Sequence, residues 1–265
     1  MKIYQIDAFT DQPFKGNPAA VCVLNQERPD AWMMALAQEM NLSETAFVRQ
    51  RENEFDLRWF TPKKEVSLCG HATLATAHIL WQEQYLALTD QVRFNTQSGL
   101  LTAKKDGAWI ELDFPARFVV AAEENPGLNQ ALGVVAKSTN KSATTQGNLY
   151  LLEVESEEIV KAMSPDFGAV IAAGARGVIV TSRSRAPEYD FVSRYFAPAV
   201  GINEDPVTGS AHCYLTTYWG TKLNKQTLIG FQASARTGII KCCWQGERVL
   251  LRGQAVTIFK GELAI

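Results

Sequence analysis

The chain has 265 residues, 46% apolar and 20% charged, ordinary values for a globular protein able to bury a core. Its formal net charge of −2 offers no basic footprint for nucleic acid, and the apolar run around Gly168–Ala175 is far too short to span a bilayer. Five cysteines, odd in number and including the adjacent Cys242 and Cys243, fit reduced thiols in a cytoplasmic protein better than a disulfide framework.

In chain order, Lys2–Phe9 and Ala19–Leu24 alternate like strands around a turn broken by Pro13, Gly16 and Pro18. The N-terminal stretch has no signal-peptide core. Asp30 is placed to cap a helix from Ala31 to about Met40, with Trp32, Leu36 and Met40 on one face. Thr45–Arg49 and Phe55–Phe60 read as strands, the second closing at Pro62. Cys69-Gly70-His71-Ala72 opens a helix to about Gln84, and its near-continuous apolarity predicts burial on most sides. Short strands follow at Val92–Asn95, Gly99–Lys104 and Trp109–Phe114.

After Pro115 the pattern gives a short helix at Asn125–Leu132 and a strand at Leu149–Val154. A helix runs from Ser164-Pro165-Asp166 to about Ala173, ended by Gly174. Strands at Gly177–Thr181 and Tyr189–Phe196 precede a helix from Thr208 to about Tyr218. Phe231–Arg236, Ile239–Trp244, Arg248–Gly253 and Val256–Lys260 are the remaining strands.

The two halves repeat. Arg58-Trp59-Phe60-Thr61-Pro62 matches Arg194-Tyr195-Phe196-Ala197-Pro198 at an offset of 136, and Phe55 falls on Phe191. Carried on without a gap, the offset lays Cys69 on Asp205; one short gap aligns Gly70-His71-Ala72 with Gly209-Ser210-Ala211. So long a period means two copies of one unit and excludes a solenoid. Each copy has many strands and one apolar helix, which is buried if a curled sheet wraps around it.

Two helix starts built from small residues expose unpaired backbone N–H groups and a positive dipole end. If the copies face each other, both ends point at one anion, each contributing up to about 2 kcal/mol; the plainer reading is two ordinary helix caps. Glu44 sits between an amphipathic helix and a strand, where a carboxylate is held rigidly or simply solvated. The matching junction, Ala175-Arg176-Gly177, has no carboxylate. His71 and Asp205 occupy the helix-start motifs and either orient a substrate or serve as cap and turn former. Ser210 either donates to a carboxylate or caps its helix, while His78 and His212 read as packing residues. Nucleotide-loop, nucleophile-elbow, HExxH and zinc-finger spacings are all missing.

FAPxxGxxEDPxTGSAH (Phe196–His212), GNPAAV (Gly16–Val21), LSETAF (Leu42–Phe47), CGHATLA (Cys69–Ala75) and QASARTG (Gln232–Gly238) together resemble the PhzF-like family of phenazine biosynthesis. The resemblance implies an α+β, diaminopimelate-epimerase-like fold. It has two pseudo-symmetric halves, each a barrel-like mixed sheet around a central helix, with the active site in the cleft between them. The expected domains are 1–115, completed by a returning strand at 256–265, and 116–255. The resemblance further implies a homodimer that needs no metal or organic cofactor; the charge and the apolar pattern predict no nucleic-acid or membrane partner. The implied activity is a cofactor-independent isomerase of a small carboxylate. Glu44 is then the acid/base, and Gly70, His71, Asp205, Gly209 and Ser210 bind substrate. The family's founding reaction isomerises a dihydro-hydroxyanthranilate. Epimerases of this fold use two facing cysteines; with Asp205 laid on Cys69, two-thiol chemistry is disfavoured and Cys69 reads as a small buried residue. An amino-acid-type epimerase or racemase, and a non-catalytic ligand-binding protein, stay open as other readings.

Overall fold

The structure is a computed structural model that describes residues 1–144 and 148–264. The chain divides into two compact units, Met1–Phe114 with Leu250–Ile265, and Pro115–Val249.

The first unit runs β1 (Lys2–Ala8), β2 (Asn17–Leu24), α1 (Asp30–Met40), β3 (Glu44–Arg51), β4 (Glu54–Phe60), β5 (Glu65–Val66), α2 (Gly70–Gln82), β6 (Val92–Thr96), β7 (Gly99–Asp106) and β8 (Trp109–Pro115). The strand Ala255–Glu262 pairs antiparallel with β1, and β1 pairs antiparallel with β2. β2 and β3 are parallel, Ala19 opposite Glu44; β3 and β4 are antiparallel, β4 and β6 parallel, β6 and β7 antiparallel. The two-residue β5 adds to β4.

The second unit runs β9 (Val119–Ala121), α3 (Pro126–Leu132), β10 (Ser138–Ser142), β11 (Leu149–Glu153), α4 (Glu157–Ala162), α5 (Phe167–Ala172), β12 (Gly177–Arg183), β13 (Phe191–Ala197), β14 (Ile202–Glu204), α6 (Gly209–Leu223), β15 (Thr227–Gln232) and β16 (Gly238–Gln245), and β17 (Arg248–Gly253) begins in it and ends in the first unit. Its pairings follow the same series: β9–β10 and β10–β11 antiparallel, β11–β12 parallel, β12–β13 antiparallel, β13–β15 parallel, β15–β16 antiparallel. The Ala255–Glu262 strand, β18, therefore does for β1 what β9 does for β10. The fold is α+β, one strand order built twice.

Each unit's long helix is the buried one. Ten of the thirteen α2 residues are buried, and α2 packs on β1, β2 and β3. Threonines are accommodated in that apolar setting because Thr73 and Thr76 donate their hydroxyls to Cys69 O and Ala72 O, four residues back. Thr216 does the same to His212 O in α6, which packs on β15 and β16. On the other sheet face of the first unit, Met33, Leu36 and Ala37 of α1 meet Phe47 and Phe60. These two rings sit edge to face with centroids 5.5 Å apart.

The repeat is carried by an Arg–Glu ion pair as well as by sequence. Arg58 of β4 makes a fork to both carboxylate oxygens of Glu65 in β5, at 2.7 Å each, and lies over Phe60. Arg194 of β13 forks to Glu204 in β14 at 2.7 and 2.8 Å and lies over Phe196. Both pairs lock a short extra strand against the main one.

Several local expectations change. α1 begins at Asp30 after Pro29, with no side-chain cap, because the Asp30 carboxylate binds Arg58 Nη1 at 2.8 Å instead. α6 runs on to Leu223, and α4 was not apparent in the sequence pattern. β15 lies four residues earlier than Phe231–Arg236, since the chain turns at Ser234–Thr237, where Thr237 takes a positive φ. Among the described residues no helix is long and apolar enough to cross a membrane.

Candidate functional site

The parallel start of β2 and β3 brings three polar side chains to the N-terminus of α2. Asn17 begins β2, Glu44 begins β3 behind Ser43, and Cys69 and His71 flank the first residue of the helix, Gly70. Glu44 is 9% exposed and His71 4%. The His71 Nδ1 atom accepts the Asn17 Nδ2–H at 3.2 Å, and Ser43 Oγ donates to Asn17 Oδ1 at 3.4 Å, which fixes the amide. Cys69 Sγ lies 3.5 Å from the same Nδ1. With Nδ1 an acceptor, the ring proton resides on Nε2, 3.4 Å from Glu44 Oε2. That contact is close but lacks hydrogen-bond alignment, so Nε2 is a buried donor without a hydrogen-bond partner among the described residues. Burial drives the His71 pKa down to about 3, so at neutral pH the imidazole is an uncharged donor beside the carboxylate. A neutral imidazole is able to donate to an oxygen without contributing a competing charge.

In the second unit, Asp205, Gly209 and Ser210 gather at the start of α6. Thr208, the residue before that helix, donates its hydroxyl to Asp205 Oδ2 at 2.6 Å, so it does not cap the helix. Gln232 clamps the turn: its Oε1 accepts Thr208 N–H at 2.9 Å and its Nε2 donates to Asp205 O at 2.7 Å. Gly209 is buried and Ser210 exposed. Neither α2 nor α6 has a side-chain cap, which leaves the first-turn N–H groups oriented along the positive dipole end. His212 Nδ1 donates to Thr208 O at 2.8 Å, its ring lies against Phe191, and burial pushes its pKa down to about 4. His78 bonds Thr257 Oγ1 at 3.1 Å.

Register identifies what stands at Glu44's place in the second unit. As Glu44 opposes Ala19 in β2–β3, Gly177 opposes Leu149 in β11–β12. A Cβ on Gly177 would lie 2.6 Å from the Tyr195 hydroxyl, so that ring occupies the room a side chain would need. The Tyr195 pKa is pushed up to about 12 by burial and by the nearby Asp205. The helix starts Gly70 and Gly209 are 139 residues apart, so Cys69 matches Thr208, and Asp205 stands three residues earlier than the ungapped offset implied.

The structure thus brings Glu44, Gly70 and His71 together in one unit and Asp205, Gly209 and Ser210 in the other. Asn17, Ser43 and Gln232 carry no individual signal in the sequence, although each lies inside a motif quoted for the resemblance, and Thr208 reads there only as a helix start.

A family model for phenazine biosynthesis-like protein matches residues 6–261. An uncharacterized isomerase of Halalkalibacterium halodurans is 51% identical over 99% of this chain and 98% of its own length. The crystal structure of a PhzF family phenazine biosynthesis protein from Enterococcus faecalis superposes with a TM-score of 0.94 at 42% identity, covering 100% of this chain and 99% of that one. A predicted epimerase of Pseudomonas aeruginosa shares the fold, with a TM-score of 0.79 at 19% identity, covering 100% of this chain and 99% of that one.

Proposed function

We propose, from the premise that the chain belongs to the phenazine biosynthesis-like protein family and is an isomerase, that it isomerises a small carboxylate by moving one proton with Glu44. Glu44 takes the proton from carbon and returns it to another position. His71, held as the uncharged Nε2–H tautomer by Asn17, polarises the oxygen on which negative charge develops. The N–H groups at Gly70 and Gly209, with Asp205 and Ser210, bind and orient the substrate.

One observation supports this reading above the others. The repeated scaffold carries a buried carboxylate beside a buried imidazole at β3 and α2, whereas the register equivalent of Glu44 is Gly177. A paired-thiol epimerase is disfavoured because the counterpart of Cys69 is Thr208, already donating to Asp205. A homodimer is part of the same proposal, checked by light scattering of the eluting protein.

The experiment is Glu44→Gln, which keeps size and hydrogen bonding but cannot cycle a proton. Binding of a carboxylate ligand should persist while turnover falls about a hundredfold or more. Near-native turnover overturns the assignment.

A further inference from the structure

We propose that Glu44, Cys69 and His71 form a site for a borderline divalent cation of the zinc class, and that the bound cation withdraws Glu44 from proton transfer. The thiol, imidazole and carboxylate are the donor set that zinc takes, and one ligand atom from each lies within 4.8 Å of the others. The His71 Nε2 to Glu44 Oε2 separation is 3.4 Å. Two ligands bound at about 2.0–2.1 Å with a tetrahedral angle lie roughly 3.3 Å apart, so this pair already has the span of two zinc ligands.

An independent feature points the same way. His71 is 4% exposed and its Nε2, the atom facing Glu44, has no hydrogen-bond partner among the described residues. A metal-bound histidine typically holds its other ring nitrogen on an amide, carbonyl or carboxylate, and Asn17 stands at Nδ1 with Ser43 behind it. On binding, the ring proton moves to Nδ1 and the Asn17 amide flips, its oxygen accepting Nδ1–H and its NH2 donating to Ser43 Oγ; the Cys69 thiol, 3.5 Å from Nδ1 before the ion binds, turns toward the ion on Nε2 and gives up its proton to solvent. Three protein ligands leave the fourth tetrahedral position to water or to a carboxylate ligand.

The site does not depend on the proposed isomerase mechanism, but its inhibitory effect rests on Glu44 being the base. The full-length chain, stripped with a chelator, is titrated with Zn²⁺ by calorimetry and with Co²⁺ by absorption spectroscopy. One ion should bind per chain, with a thiolate-to-cobalt charge-transfer band. Cys69→Ser should remove that band, and Cys69→Ser or Glu44→Gln should weaken Zn²⁺ binding by about a hundredfold or more. Asn17→Ala should weaken it by about tenfold. Cys243→Ser, on β16 and not one of the three proposed ligands, should change affinity less than about twofold and keep the band. No saturable binding, or binding unchanged in Cys69→Ser and Glu44→Gln, overturns the site and leaves the role of Glu44 as base untouched. Full zinc occupancy with unchanged turnover overturns the inhibitory half and, with it, that role.

Discussion

Where β2 and β3 begin side by side, Glu44 stands opposite Ala19; where β11 and β12 begin in the same way, Gly177 stands opposite Leu149. Around the first position are Asn17, Cys69 and His71; around the second, the Tyr195 hydroxyl fills the space a side chain would take. The strand pairings, the uncapped buried helix and the Arg–Glu fork are common to both units. A duplicated scaffold therefore keeps its backbone program while its strand starts diverge into a polar cluster in one copy and a packed aromatic in the other. Chemistry separates the halves; architecture does not.

The comparison can be broken first through the twin ion pairs. The Arg194 side chain is 11% exposed and also donates to Val160 O and Met163 O, whereas that of Arg58 is 32% exposed. Arg194→Met should cost about 3–5 kcal/mol in urea unfolding, because it strands two backbone carbonyls and a partly buried carboxylate. Arg58→Met should cost about 1 kcal/mol, since water replaces much of the contact. Equal losses would mean that the two forks are equally buried in solution.

Acid sharpens the comparison next. His71 and His212 sit in the first turn of their respective helices with pKa values driven down by burial to about 3 and about 4, and His78 is lowered to about 4. Because the unfolded chain binds these protons near pH 6.5 and the folded one does not, stability is full above that pH. It is lost as pH falls toward 4. Each histidine contributes a slope approaching ~1.4 kcal/mol per pH unit in that window. Urea midpoints at constant ionic strength should fall steeply between pH 6 and 4.5; a flat profile there would mean these imidazoles are solvated.

The Gly177 site gives the third test. Gly177→Ala places a Cβ against the Tyr195 hydroxyl and should destabilise by about 1–3 kcal/mol, with turnover of the surviving folded protein unchanged. The smallest effect is expected from Cys69→Ser, whose counterpart is Thr208 and not a second thiol. It should keep turnover within about tenfold of the parent; a loss beyond about a hundredfold would revive thiol acid–base chemistry.

The duplication was legible because Arg58-Trp59-Phe60 and Arg194-Tyr195-Phe196 are short-range patterns that survive intact. Their acidic partners were not, since Glu65 follows Arg58 by seven residues and Glu204 follows Arg194 by ten. β10 has the sequence STNKS, with no apolar alternation; it is a strand because β9 and β11 pair with both its edges. Asp30 looked like a cap, but a cationic Arg58 within reach outcompeted the backbone N–H groups. At the site, Glu44 and His71 were recognisable within their motifs. Asn17 was not, because its role arises only when the parallel start of β2 and β3 brings it to Nδ1 of His71. The Glu44–Cys69–His71 cluster was hidden for the same reason: Glu44 lies 25 residues before Cys69 and 27 before His71, and the three share no metal-binding spacing.

The claim that one carboxylate performs both halves of the transfer is tested most directly by a single turnover of substrate in deuterated water, followed by mass spectrometry of the product. A largely buried Glu44 that carries the proton from one carbon to the other should deliver a measurable fraction of substrate-derived hydrogen to the product's new C–H bond. Glu44→Gln should deliver none over the same interval. A product fully deuterated at that carbon within the first turnover, or unchanged transfer by Glu44→Gln, would contradict a single-glutamate mechanism.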